Sequence, residues 1–170
     1  KLKQMNVYPI KFEPILQEKI WGGSKLKDTF KKDTTKDNIG ESWEISGVTG
    51  NISEVTNGRY KGSSLVKMIE DFQHELVGKS NYKRFGNEFP LLIKFLDAKE
   101  NLSVQVHPDD EMAQKNHGSY GKTEMWYIMD HEPDAEIIVG MKDKHAGSEL
   151  LKAVDRDNIY DIFSSKKVAR

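Results

Sequence analysis

Ser103-Val104-Gln105-Val106-His107, followed by Pro108, is the stretch that decides the fold. Three polar side chains alternate with two valines. A strand repeats every two residues, so Ser103, Gln105 and His107 share one face and the valines share the other. Same-face neighbours stand roughly 6.6 Å apart along a strand, which lets Gln105 and His107 converge on one ion. Pro108 favours an extended backbone at His107. The stretch reads as a β-strand, Ser103 to His107, with a polar face.

Lys122-Thr123-Glu124 repeats the pattern some fifteen residues on, with Lys122 and Glu124 on one face. One imidazole nitrogen, one amide oxygen and one carboxylate suit zinc or another borderline divalent metal. A solvent-facing strand has the same polar alternation without any metal. On spacing alone both readings stand.

Outward from these motifs, the pattern predicts short strands and a few small helices. Residues 7–16 read as extended, with Pro9 and Pro14 fixing local geometry, and Trp21-Gly22-Gly23 reads as a turn. Lys25 to Asn38 is a charged surface segment around Leu26 and Phe30. Strands are expected at Ser42–Ile45 and Asn51–Thr56, with a turn at Asn57-Gly58. Leu65, Met68, Ile69, Phe72 and Leu76 recur at helical spacing, with Ser63 or Ser64 as the cap and Gly78 at the end. Pro90 to Leu96 reads as a buried strand. Asp109 to His117 reads as a short helix capped by Asp109. Thr123–Met129 and Glu136–Met141 read as strands. From Ser148 to Phe163, Leu150, Leu151, Val154, Ile159, Ile162 and Phe163 return to helical spacing. The fold class is mostly β with short helical decorations, and periodicity leaves a jelly roll and other β sandwiches open.

Composition narrows the function. The 170 residues carry 27 acidic and 26 basic side chains, for a formal net charge of -1, so charge gives no reason to expect nucleic acid or an anionic membrane as partner. A few local lysines still suffice for one phosphate. With no cysteine, no disulfide or thiolate metal site is possible, and any transition metal must take nitrogen and oxygen ligands. No apolar run reaches the length of a membrane span, and Lys1 to Val7 lacks the apolar centre of a signal peptide. A cytoplasmic enzyme is the simplest expectation.

From about Tyr8 to at least Met141 the chain resembles the type I, zinc-dependent mannose-6-phosphate isomerases. The resemblance is carried by Glu18-Lys19-Ile20-Trp21-Gly22-Gly23, Gly40-Glu41-Ser42-Trp43-Glu44, Pro90-Leu91-Leu92-Ile93-Lys94-Phe95-Leu96-Asp97-Ala98, Leu102 to Pro108, and Gly121-Lys122-Thr123-Glu124-Met125-Trp126. The last three, in this order and at these distances, are specific. The resemblance implies a cupin-like jelly-roll β barrel or sandwich, incomplete in this chain, with residues 1–170 as the N-terminal, metal-site part. It implies one zinc ion held by Gln105, His107 and Glu124, with the fourth ligand, a histidine of a later strand, beyond residue 170. His131 and His145 lie too early for it, and Arg156 and Arg170 do not sit in the family's later arginine motif. It implies a small phosphosugar as partner, neither requires nor excludes a homo-oligomer, and leaves the chain by itself expected to be inactive.

Each role has a plainer competitor. His107 as a ligand competes with an ordinary surface or capping histidine, and Glu124 with a carboxylate paired to a neighbouring lysine. By the resemblance, Lys122 lies in the substrate pocket as a catalytic candidate and Ser103 meets the substrate phosphate. Lys94 is expensive to bury unpaired among leucines, so it must reach solvent or line a polar cavity, and the resemblance favours substrate binding. Trp21 and Trp43 offer faces for a sugar, though large aromatics are as readily core; Trp21 is the substrate-binding candidate. Glu41 and Glu44 are pocket or structural residues, and Asp109 and Asp110 cap the helix after them. The expected reaction interconverts mannose 6-phosphate and fructose 6-phosphate. The alternatives are a non-catalytic sugar- or metal-binding cupin domain, an iron oxygenase with two histidines and a carboxylate, and a purely structural module.

Overall fold

Ile39-Gly40-Glu41-Ser42-Trp43-Glu44-Ile45 begins the strand on which the first part of the molecule is built. The computed structural model describes residues 5, 8–142 and 159–168, and the chain divides into two compact units, Lys1–Gln105 and Val106–Arg170.

In the first unit, β1 (Ile15–Gly23) leads into a short helix, α1 (Lys25–Asp28), and then into β2 (Ile39–Val48). β2 pairs antiparallel with β1 on one side and with β4 (Leu92–Leu96) on the other, while β3 (Asn51–Ile52) pairs with its far end. The β2–β3 connection is two residues, Thr49-Gly50, with Gly50 at φ +84°, a conformation that favours glycine. Ser42 lies opposite Phe95 and Trp43 opposite Lys94. Facing partners share a face, so Glu41, Trp43 and Lys94 lie on one side of the sheet and Ser42, Glu44 and Phe95 on the other. The segment after α1 covers the second side. The Phe30 ring sits 5.0 Å from Phe95, and the Lys32 ammonium lies 2.7 Å from Glu44. Leu26 is buried, as the small cluster in that segment required.

Trp21-Gly22-Gly23 is the end of β1, not a turn. Its glycines are there for close approach: a Cβ on Gly22 would lie 2.5 Å from the Asn38 carbonyl oxygen, and one on Gly23 2.6 Å from the Asp97 carboxylate. Residues 8–14 form no ladder beyond one bridge, Phe12 to Val55. The strand expected to Thr56 stops at Ile52 and continues only as single bridges from Glu54 and Val55. β4 forms where expected, but it is not buried: Ile93 is 46% exposed. It pairs only with β2 among the described residues, so the apolar run that reads as a buried strand is a partly exposed one there.

The helix expected from Leu65 to Leu76 is two. In α2 (Leu65–Phe72), Leu65, Met68, Ile69 and Phe72 form one buried face, and the Ser64 hydroxyl caps the start by accepting from the Lys67 N–H at 3.2 Å. Gln73 then takes φ +50°, which stops the helix, and α3 (His74–Val77) restarts it before Gly78. No glycine or proline marks that break, yet Leu76 still packs against Val55, Met68 and Phe72. Each fully buried apolar side chain of this cluster contributes about 1.5–3 kcal/mol. α4 (Lys79–Phe85) ends at Gly86.

The second unit contains α5 (Asp110–His117), β5 (Glu136–Met141) and β6 (Phe163–Lys167), the last two antiparallel. The Asp109 carboxylate accepts from the Met112 N–H at 2.8 Å, as the sequence predicts, and Gly118 closes the helix at φ +60°. Ser103–His107 and Thr123–Met129 form no strands among the described residues. Alternation fixes which way side chains point, but a strand also needs a paired neighbour for its N–H and C=O groups. The helix expected at Ser148–Phe163 is not found where the structure describes it: Ile159–Ile162 is a 3-10 turn and Phe163 begins β6. Leu150, Leu151 and Val154 lie outside the described residues.

The architecture is thus β-rich with short helices, as expected. No helix among the described residues is long and apolar enough to cross a membrane.

Candidate active site

In the second unit, α5 loops out and returns to its own start. The Gly121 N–H donates to the Asp110 carboxylate at 2.9 Å, and the Lys122 N–H to the Pro108 carbonyl at 3.4 Å. A Cβ on Gly121 would stand 2.6 Å from the Asp109 carbonyl carbon and 2.6 Å from the Asp110 nitrogen, so this approach requires glycine. Pinning residue 121 beside residues 108–110 brings Lys122 and Glu124 back to His107. The His107 Nε2 lies 3.7 Å from Glu124 Oε2, and the Lys122 ammonium 3.1 Å from Glu124 Oε1. Each carboxylate oxygen therefore faces a different partner.

Two donors on one tetrahedral zinc, each bonded at about 2.0–2.2 Å, stand roughly 3.4 Å apart. The His107–Glu124 separation is close to this, and imidazole with carboxylate is a fitting donor set. Among the described residues no group of three or more His, Cys, Asp or Glu side chains gathers to hold a metal. His131 does not join them; its Nδ1 lies 3.0 Å from the Glu132 carbonyl oxygen. His145, Arg156 and Arg170 lie outside the described residues.

In the first unit, the Gln105 amide donates to the Ser103 hydroxyl at 3.0 Å, so these two side chains do meet. The Trp21 carbonyl accepts from the backbone of Lys99 and Glu100, and its ring lies over Gly40, where a Cβ would be 2.6 Å away. Lys94 reaches neither bulk water alone nor an apolar core. Its ammonium pairs with Glu41 at 3.2 Å, while the Trp43 indole N–H donates to the other Glu41 oxygen at 2.7 Å and the Lys19 ammonium stands 4.0 Å from it. Burial pushes the Glu41 carboxyl up, but the indole hydrogen bond and the two ammonium groups more than offset that and hold it below the ordinary carboxylate value.

A family model described as "Phosphomannose isomerase type I, catalytic domain" matches residues 10–148. The chain belongs to the type I phosphomannose isomerase family. Mannose-6-phosphate isomerase ManA of Bacillus subtilis is 40% identical over 165 residues, which are 96% of this chain and 50% of ManA. A mannose-6-phosphate isomerase of Streptococcus mutans is 39% identical over 153 residues, covering 89% of this chain and 47% of that protein. The crystal structure of the mannose 6-phosphate isomerase from Bacillus subtilis superposes with a TM-score of 0.85 at 39% identity, over 94% of this chain and 49% of that one. That likeness agrees with a cupin-like sandwich. The chain spans about half the length of the curated relatives it matches.

The type I phosphomannose isomerase motifs thus fall on the groups just described, and the structure also separates residues the sequence treated alike. Glu44 is bound to Lys32 and accepts from the Ser42 hydroxyl at 2.5 Å on the covered side of the sheet, whereas Glu41 faces Lys94 on the other. No local pattern points to Lys19, whose ammonium lies near Glu41 because β1 pairs with β2 through Gln17 opposite Glu41. Asp97, buried beneath Gly23, accepts from the Lys25 N–H at 2.6 Å and ties the end of β1 to α1.

Proposed function

We propose that the protein carrying this chain is a mannose-6-phosphate isomerase that interconverts mannose 6-phosphate and fructose 6-phosphate. The observation that carries the reading is the His107–Glu124–Lys122 constellation in a chain of this family. The phosphosugar is the partner, and the cytoplasm, expected from the sequence, is the location that goes with it.

His107 and Glu124 would hold one divalent metal, zinc by the resemblance, with Gln105 as a further ligand on the strength of the sequence motif. Held there, such an ion would supply positive charge where negative charge develops on the sugar oxygens. The isomerisation moves one proton between C1 and C2 and another between the two oxygens, by way of an enediol. Lys122, whose ammonium lies 3.1 Å from Glu124 Oε1, would donate or hold a proton or neutralise a forming oxyanion. Lys94 and Ser103 are the groups for the anionic end of the substrate, and Trp21 the aromatic beside it. The test is conversion of mannose 6-phosphate by the full gene product, with metal content measured in parallel. Turnover that needs a bound divalent metal supports the reading; a protein that binds metal and phosphosugar without turnover contradicts it.

A further inference from the structure

Glu41 is a buried carboxylate on the side of β2 opposite the Lys32–Glu44 pair. Both its oxygens are engaged: Oε1 by Lys94 at 3.2 Å, Oε2 by the Trp43 indole at 2.7 Å. Glu41 and Trp43 are two residues apart on one strand, and Lys94 lies directly opposite Trp43 on the next. Three side chains on a sheet face are thereby locked to one another. With Lys19 at 4.0 Å, two ammonium groups share one carboxylate, so Glu41, Lys94 and Lys19 together carry one net positive charge. Both lysines remain partly open, their side chains 34% and 22% exposed for Lys19 and Lys94. A half-buried cationic patch of fixed geometry suits a phosphate monoester, because charge-assisted hydrogen bonds to its oxygens need a donor that stays in place. Removing one partner of such a pair leaves the other charge poorly placed and poorly solvated.

We infer that Glu41 is a positioning residue for substrate affinity, holding Lys94 and, with it, the net positive charge where the phosphate of the phosphosugar docks. The inference rests on the isomerase reading for its substrate. Glu41 touches neither the sugar nor the reacting carbons; it acts through Lys94.

The test is a double-mutant cycle in the full gene product with Glu41→Gln, Lys94→Gln and the pair. Glutamine keeps one oxygen for the Trp43 N–H, removes the charge, and puts an NH2 donor in place of the oxygen that faces Lys94. In Glu41→Gln, KM for mannose 6-phosphate rises about 5- to 30-fold, kcat stays within about threefold, and calorimetric Kd for the same sugar phosphate weakens in step. In the Lys94→Gln background, Glu41→Gln adds little further loss, since its effect passes through the lysine. An unchanged KM and Kd in Glu41→Gln, or effects of the two substitutions that multiply in full, overturns the inference. So does a loss in kcat with KM intact. Thermal unfolding of each variant separates a damaged fold from lost affinity. If the wild type binds mannose 6-phosphate in this Glu41-dependent way but shows no turnover, the isomerase reading falls and the inference stands; if it does not bind the sugar phosphate, both fall.

Discussion

Glu124 stands between His107 and Lys122, one carboxylate oxygen 3.7 Å from the imidazole Nε2 and the other 3.1 Å from the ammonium. The two contacts divide the labour of the carboxylate. One oxygen faces His107, the pair proposed to hold a metal, and the other faces the lysine.

Lys122→Met therefore separates two functions. It is expected to leave metal content unchanged and to lower kcat roughly 10²- to 10⁴-fold, the usual contribution of a positioned acid or base. Glu124→Gln is expected to lower metal content itself. Elemental analysis and steady-state kinetics on the same preparations check both. Equal metal loss in the two variants would contradict the division.

Gly121→Ala places a methyl group 2.6 Å from the backbone at Asp109 and Asp110. Something must shift, at a cost of about 1–3 kcal/mol, and the shift moves Lys122 and Glu124 away from His107. The expected result is a lower unfolding temperature together with weaker metal binding, read by calorimetry and metal titration. Normal metal affinity in a destabilised variant would show that the close approach serves packing alone.

Glu41 sets a pH dependence. Its folded-state pKa is depressed, so its stabilisation is fully present above the unfolded value, about 4.3, and is lost as pH falls from there through the folded value. Glu41→Gln lacks this ionisation. Denaturant unfolding is expected to show the wild type about 1–2 kcal/mol more stable near neutral pH. That gap narrows below about pH 4.3. A gap independent of pH would contradict the assignment.

Much of this was legible in the sequence, and the exceptions have physical causes. The four apolar positions of α2 and the Asp109 cap of α5 are local signals, and the structure shows both. The break at Gln73 was not legible, because a glutamine gives no sign of a positive φ. Gly22 and Gly23 looked like turn residues because glycine marks both turns and close approaches, and only tertiary neighbours tell them apart. The alternation at Ser103–His107 predicts a strand that does not form, since pairing is a property of the neighbour; the Gln105 amide donates to the Ser103 hydroxyl, a contact the pattern does not single out. Lys94 was conspicuous as a charge in an apolar run, but its partner Glu41 lies 53 residues away. That pairing depends on the register of β2 against β4, which no local pattern encodes.

The most direct test of the central claim is zinc content and isomerase turnover of the full gene product, wild type against His107→Ala. The wild type is expected to carry about one zinc per chain and to convert mannose 6-phosphate to fructose 6-phosphate, and His107→Ala to lose both. Retained zinc and turnover in His107→Ala, or a wild type that binds zinc and sugar phosphate without converting it, would rule out His107 as a ligand of a catalytic metal or the isomerase reading itself.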